Sequence, residues 1–225
     1  MITEMITSGQ KKQLLRVLED GLDQQELTKV QADQILKVGN LVQVDLGKSL
    51  QKNSIVDKKF GDDLLNGKGS FTVPTDYNHE SQIDTFAVKN LKLKSTYSYD
   101  DELTSKNFEN ATNKLVPGKT YAIKMFPISE TAHSEECLAF LVSNNAILFG
   151  AQGLTALHTD QPEIFPTGKR TVSFDEKDTL WEDADSDHGI PFVYLYLDGD
   201  WEFGLGFFEF SWNSEYVLVC FCDLD

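Results

Sequence analysis

The chain has 225 residues, 40% of them hydrophobic, and a formal net charge of −16. That length and apolar content suit a packed core, either as one large domain or as a domain with an appendage. The charge opposes a nucleic-acid function, which needs a basic stripe against phosphate, and no apolar run approaches the roughly 18 residues of a membrane span or resembles a secretory leader.

A cytoplasmic, soluble protein without membrane or nucleic-acid partners is therefore expected. The three cysteines, Cys137, Cys220 and Cys222, are too few for a disulfide framework and agree with a reducing compartment. The charge is unevenly placed: residues 1–124 carry 17 basic and 17 acidic side chains, residues 125–225 carry 3 and 19. The C-terminal part alone thus supplies the −16, a field that attracts a basic partner or divalent cations and that also serves plain solubility.

From Gln10 to Leu50 apolar residues recur at helical spacing, first Leu14, Leu15, Val17, Leu18 and Leu22, then Val30, Ile35, Leu36, Val38, Leu41 and Val42. Asp20-Gly21-Leu22-Asp23 separates them as a stop and a new N-cap, with Glu26 three residues after Asp23. A helical hairpin and a third helix are expected over 1–50. The segment LLRVLEDGLDQQELTKVQADQIL resembles the SHOCT type of short helical module at Gly21, Leu22, Glu26 and Leu27, without that module's later aromatic and basic positions. The resemblance implies oligomerisation or docking, including a dimer through these helices; the alternative is that they pack on the main domain, since two short helices bury little alone.

Residues 51–69 are rich in Lys, Asp, Asn, Gly and Ser and read as a linker to a domain over 70–225. In that domain Phe71–Pro74 and Thr85–Leu93 read as strands, and YSYDDELTSKNFENATNK as a surface loop with a short helix. Val116-Pro117-Gly118 has type II turn composition and feeds a strand over Thr120–Phe126. A helix N-capped by Ser134 and ended by Asn144-Asn145 follows, then AILFGAQGLTAL as strand, turn and strand. Pro166-Thr167-Gly168-Lys169 leads into the strand RTVSF and an acidic helix containing Trp181, echoing Pro117-Gly118-Lys119 and its strand as an internal duplication. Tyr216–Cys222 closes the chain as a buried strand. The fold class expected is α+β: an N-terminal helical segment, a linker, then a largely antiparallel sheet with one or two covering helices.

Most of the chemistry-bearing residues lie in Thr171–Phe208. Asp198-Gly199 between apolar runs is a hairpin signal. A two-residue loop sets Tyr196, Tyr194 and Phe192 opposite Trp201, Phe203 and Leu205, an aromatic ladder that turn chemistry favours. With Asp200 in the loop, Val193, Leu195 and Leu197 take those partners, and Tyr194 and Tyr196 fall on the other face with Glu202 and Gly204. Gly204 and Gly206 share a face, so a ring, of a tyrosine for instance, packs closely there. The stretches ILFGAQGL, SFDEKDTLWEDAD and DGDWEFGLGFFE resemble bacterial open reading frames of unassigned function over roughly Lys119 to the C-terminus. That resemblance implies a bacterial cytosolic protein and brings no activity with it.

Asp183, Asp185 and Asp187 alternate as in a calcium loop, but His188 and Tyr194 stand where an EF-hand needs Gly and Glu, which leaves a looser calcium site or a solvated loop. Cys220 and Cys222 lack the second pair or C-x-x-C knuckle of a zinc site. GAQG lacks the Lys-Ser/Thr of a phosphate loop, and His133-Ser134 and His158-Thr159 lack a nucleophile elbow. Paired carboxylates among Asp198, Asp200, Glu202 and Asp175 beside Trp201 would suit a glycosidase-like hydrolase. No catalytic residue, cofactor or metal is assigned. The favoured function is a non-enzymatic interaction module, acting as inhibitor and immunity-type proteins do, with Asp183, Asp185, Asp187, Tyr194, Tyr196, Asp198, Asp200, Trp201 and Glu202 as the binding set for a basic protein. A carboxylate-based hydrolase is the first alternative, and a sugar- or small-ligand-binding module using Tyr194, Tyr196 and Trp201 the second.

Overall fold

The structure, a computed structural model, describes residues 59–91 and 97–224. The chain divides into two compact units, residues 1–57 and 58–225. The expected helices of 1–50 and their SHOCT-like segment lie outside the described residues.

The second unit is an α+β fold around one mixed sheet. Its strands are β1 (Gly69–Thr72), β2 (Tyr97–Tyr99), β3 (Thr120–Pro127), β4 (Ala132–His133), β5 (Arg170–Val172), β6 (Trp181–Glu182), β7 (His188–Leu195), β8 (Trp201–Phe207), β9 (Ser211–Trp212) and β10 (Tyr216–Asp223), and its α-helices α1 (Gln82–Leu91), α2 (Ser134–Ser143) and α3 (Gly150–Asp160). The eight-stranded sheet runs β1-β3-β10-β5-β7-β8-β2, with β6 added beside β7, and β4 and β9 form a separate ribbon. Most neighbours are antiparallel, but β10 with β5 and β8 with β2 are parallel, so the largely antiparallel sheet is mixed.

Residue alternation sorts the core onto the two faces of the sheet. Tyr121, Ile123 and Met125 of β3, Val193 of β7, Phe203 of β8 and Val217, Val219 and Phe221 of β10 pack with α1 and α3. The opposite face carries Phe126, whose ring meets Phe140 of α2 edge-on at 4.9 Å, and Cys222, which donates to the Asn144 carbonyl at the end of α2. Helices therefore cover both faces.

Several expected elements are different. Thr85–Leu93 alternates like a strand yet lies largely in α1, because Ile83, Phe86 and Asn90 form the buried helical stripe and leave Val88 exposed. AILFGAQGLTAL, expected as strand, turn and strand, contains most of α3 instead. Its glycines serve close packing: a Cβ on Gly153 would stand 3.0 Å from the Phe221 ring. The acidic helix after β5 is a single 3-10 turn, Lys177–Thr179, followed by β6. Without that helix the internal duplication fails, since β3 leads to α2 and β5 leads to no α-helix. The N-cap of α2 is His133, and Ser134, fully buried, instead accepts from Trp212 Nε1 at 2.7 Å. Residues 100–119 form turns that bury Leu103 and Phe108.

Residues 59–68, which resemble linker in composition, are docked. Lys59 pairs with Glu136 at 2.6 Å, Phe60 stacks on Phe140 at 4.1 Å, and Asp63 Oδ1 accepts from Met125 N at 2.9 Å. The type II turn before β3 is present, with Gly118 at φ +77° and Lys119 N donating to Val116 O. Tyr216–Asp223 is the buried strand expected at the C-terminus.

Candidate functional site

The β7–β8 hairpin takes neither expected register: it is shifted one residue from the two-residue loop and two residues from the loop that includes Asp200. Leu195 faces Trp201, Val193 faces Phe203, Pro191 faces Leu205 and Tyr194 faces Glu202. The loop is Leu197-Asp198-Gly199: Gly199 N donates to Tyr196 O, Tyr196 N donates to Asp200 O, and Gly199 holds φ +93°. This is a type I turn closed by a bulge glycine in the left-handed region. The aromatic ladder is thereby overturned, and the face assignment is the one given by cleaner polar and apolar alternation. Gly204 and Gly206 do lie under rings, those of Phe192 and Trp212, not of a tyrosine.

The register splits the expected binding set. Trp201 joins the face covered by α1 and α3, its ring 4.4 Å edge-on from buried His158 and 6.2 Å from Phe165. Tyr194, Tyr196 and Glu202 lie together on the opposite face. The Tyr196 hydroxyl donates to Glu202 Oε2 at 2.7 Å, and the two tyrosine rings meet edge-on at 4.4 Å. The acceptor carboxylate pushes the Tyr196 hydroxyl above its ordinary pKa. Asp198 and Asp200 sit at the hairpin tip, where Asp198 Oδ1 accepts from Asp200 N. A sugar site stacked on Tyr194, Tyr196 and Trp201 together is not formed.

Asp183, Asp185 and Asp187 lie at the other end of β7, in the β6–β7 turn. Asp183 Oδ1 accepts from Asp185 N at 2.8 Å and Asp187 N at 3.0 Å, so this carboxylate shapes its own loop. Among the described residues no group of three His, Cys, Asp or Glu side chains is placed to hold a metal ion. The two aspartate clusters stand on the order of 25 Å apart, at about 3.3 Å per strand residue.

Asp175 is buried beyond β5, level with the start of β7. Desolvation pushes its pKa up, against hydrogen bonds donated by Thr112 N and Glu176 N. The same strand spacing keeps it from Asp198 and Asp200, well outside the roughly 5–9.5 Å of a glycosidase carboxylate pair.

Four arrangements join residues far apart in the chain and are silent in the sequence. The guanidinium of Arg170 lies 4.9 Å from the ring centroid of Tyr194, 5.6 Å from that of Phe192 and 5.9 Å from that of Tyr216, with Glu215 at 3.7 Å. Glu209 accepts from His188 N, His188 Nδ1 and Lys177 Nζ; burial raises its pKa, but these donors prevail and hold it at about 2. Ser211 Oγ lies 3.1 Å from His133 Nδ1 across the β4–β9 ribbon, both side chains open to solvent. His158 stands among Phe86, Phe165, Trp201 and Phe203.

No protein-family model, no curated protein and no solved structure matches the chain. Among the described residues no helix is long and apolar enough to cross a membrane. What the arrangement offers chemically is an acidic, aromatic-bearing surface, with Asp175 held away from the carboxylates of the hairpin tip.

Proposed function

We propose that the chain is a non-enzymatic interaction module that binds a basic protein partner through the acidic face of its C-terminal part. The observation that carries this reading is the use made of the cations there. Residues 125–225 contain only Lys169, Arg170 and Lys177 as basic side chains against 19 acidic ones. Lys169 donates to the Ser214 carbonyl, Arg170 is stacked on its aromatic rings beside Glu215, and Lys177 pairs with Glu209. All three are engaged within the fold, while Glu176, Glu182, Asp185 and Asp198 are exposed. Such a surface steers an oppositely charged protein and raises its association rate in a salt-dependent way.

The test is a pull-down with the tagged full chain at low and high salt, beside the variant Asp183→Asn/Asp185→Asn/Asp187→Asn. A basic protein retained at low salt, and released both by salt and by the substitutions, is the expected result. Retention of nothing under any condition overturns the reading.

A further inference from the structure

We propose that Tyr196 and Glu202 form a receptor for an arginine side chain of the basic partner. This deepens the interaction reading above and rests on it.

The molecule contains an internal example of such a contact. The Arg170 guanidinium lies over Tyr194, near Phe192 and Tyr216, with the Glu215 carboxylate 3.7 Å from its Nη1. A cation is thus held by ring faces and one carboxylate on the sheet face opposite α1 and α3. Just past the end of β7 the same parts recur. The Tyr196 ring is braced edge-on against Tyr194 and remains 39% exposed, and its hydroxyl fixes Glu202 beside it at 2.7 Å. Among the described residues, no Lys or Arg forms an ion pair with Glu202 or stands over the Tyr196 ring.

The neighbours of this pair suit an incoming arginine. Asp198 and Asp200 add negative charge at the tip, and Leu197, 90% exposed, offers apolar contact to a side-chain stem. A guanidinium is planar and weakly hydrated, so it stacks on a tyrosine and hydrogen-bonds a carboxylate at once; an ammonium gains less from the ring. The occupant comes from another protein. This chain has two arginines, Arg16 and Arg170, and the second fills its own aromatic site.

The test uses the full chain at low salt with labelled hexa-arginine and hexa-lysine peptides, read by fluorescence anisotropy. The arginine peptide is expected to bind about threefold tighter, the scale of an exposed cation–π contact. Tyr196→Leu, which leaves the net charge unchanged, brings the two peptides to parity, and Tyr196→Phe keeps the preference because the ring remains. Equal binding by the unaltered protein, or a preference that survives Tyr196→Leu, overturns the arginine receptor while leaving the electrostatic reading standing. Failure of both peptides to bind overturns both. A several-fold gain in arginine-peptide affinity on Arg16→Ala would place the chain's own arginine in the site and overturn the assignment to a partner.

Discussion

Gly204 lies under the ring of its cross-strand partner Phe192, so close that a Cβ at this position would stand 2.6 Å from Phe192 Cζ. The ring is 7% exposed and has Arg170 on it, so it has little freedom to retreat. Gly204→Ala is therefore expected to cost about 2 kcal/mol through overpacking, seen as a melting temperature lower by about 5 °C. Phe192→Leu in the same chain should recover part of that loss. An unchanged melting temperature for Gly204→Ala would mean that the hairpin does not hold this register.

The same pair shows what was legible in the sequence. That something packs against Gly204 follows from a glycine inside a strand; which ring it is depends on loop length, and Asp-Gly fits both a two-residue turn and a bulged three-residue one. The buried strand Tyr216–Cys222 was legible as a short, unbroken run of apolar residues rich in valine, and the helix after His133 by the acidic first turn and the i,i+3 pair Leu138 and Leu141. α1 and α3 were not, since alternating Thr85–Leu93 and glycine-bearing GAQG imitate strand and turn until Phe203 and Phe221 are there to pack against. Of the candidate site, the tyrosines and carboxylates were legible as residue types. The separation of Trp201 from them, and the presence of Arg170, came only from register.

The turn between β6 and β7 repeats the geometry of the tip at Gly199, with Ser186 in the left-handed position at φ +66°. Asp183 N donates to Asp187 O and Ser186 N to Asp183 O, as Tyr196 N and Gly199 N do in the other hairpin. A serine there is strained where a glycine is not. Ser186→Gly should stabilise the protein by about 0.5 kcal/mol, after the extra freedom glycine gives the unfolded chain. Gly199→Ser should destabilise it by about 1 kcal/mol. Chemical denaturation of both variants checks the pair, and effects of the same sign would contradict the shared turn geometry.

Trp201 and Tyr196 belong to opposite faces, which predicts different consequences for truncation. Trp201→Ala removes contacts with His158 and Phe165 and should cost about 2–3 kcal/mol of stability. Tyr196→Ala removes an exposed ring and should cost no more than about 0.5 kcal/mol. Urea midpoints measured side by side decide it. Equal, small losses would place Trp201 on the outer surface with the tyrosines.

His158 gives the fold a dependence on pH. Burial lowers its pKa from 6.5 to about 4, with the Lys89 charge adding to the effect, and its ring is walled by Phe86, Phe165, Trp201 and Phe203. Above pH 6.5 the imidazole is neutral in the folded and unfolded chains alike, so the site carries no penalty. Between pH 6.5 and 4 the unfolded chain binds a proton that the folded chain refuses, and stability falls as pH falls. At 1.36 kcal/mol per pH unit the loss reaches on the order of 3 kcal/mol near pH 4. His158→Phe keeps an aromatic ring in the box and removes the proton site. The difference in unfolding free energy between this variant and the unaltered protein should therefore grow in the variant's favour from pH 7 to pH 4, by about 3 kcal/mol. Carboxylate titrations common to both proteins cancel in that difference. A difference that stays constant with pH would show that His158 is protonated within the folded chain and that its aromatic walls open to admit water.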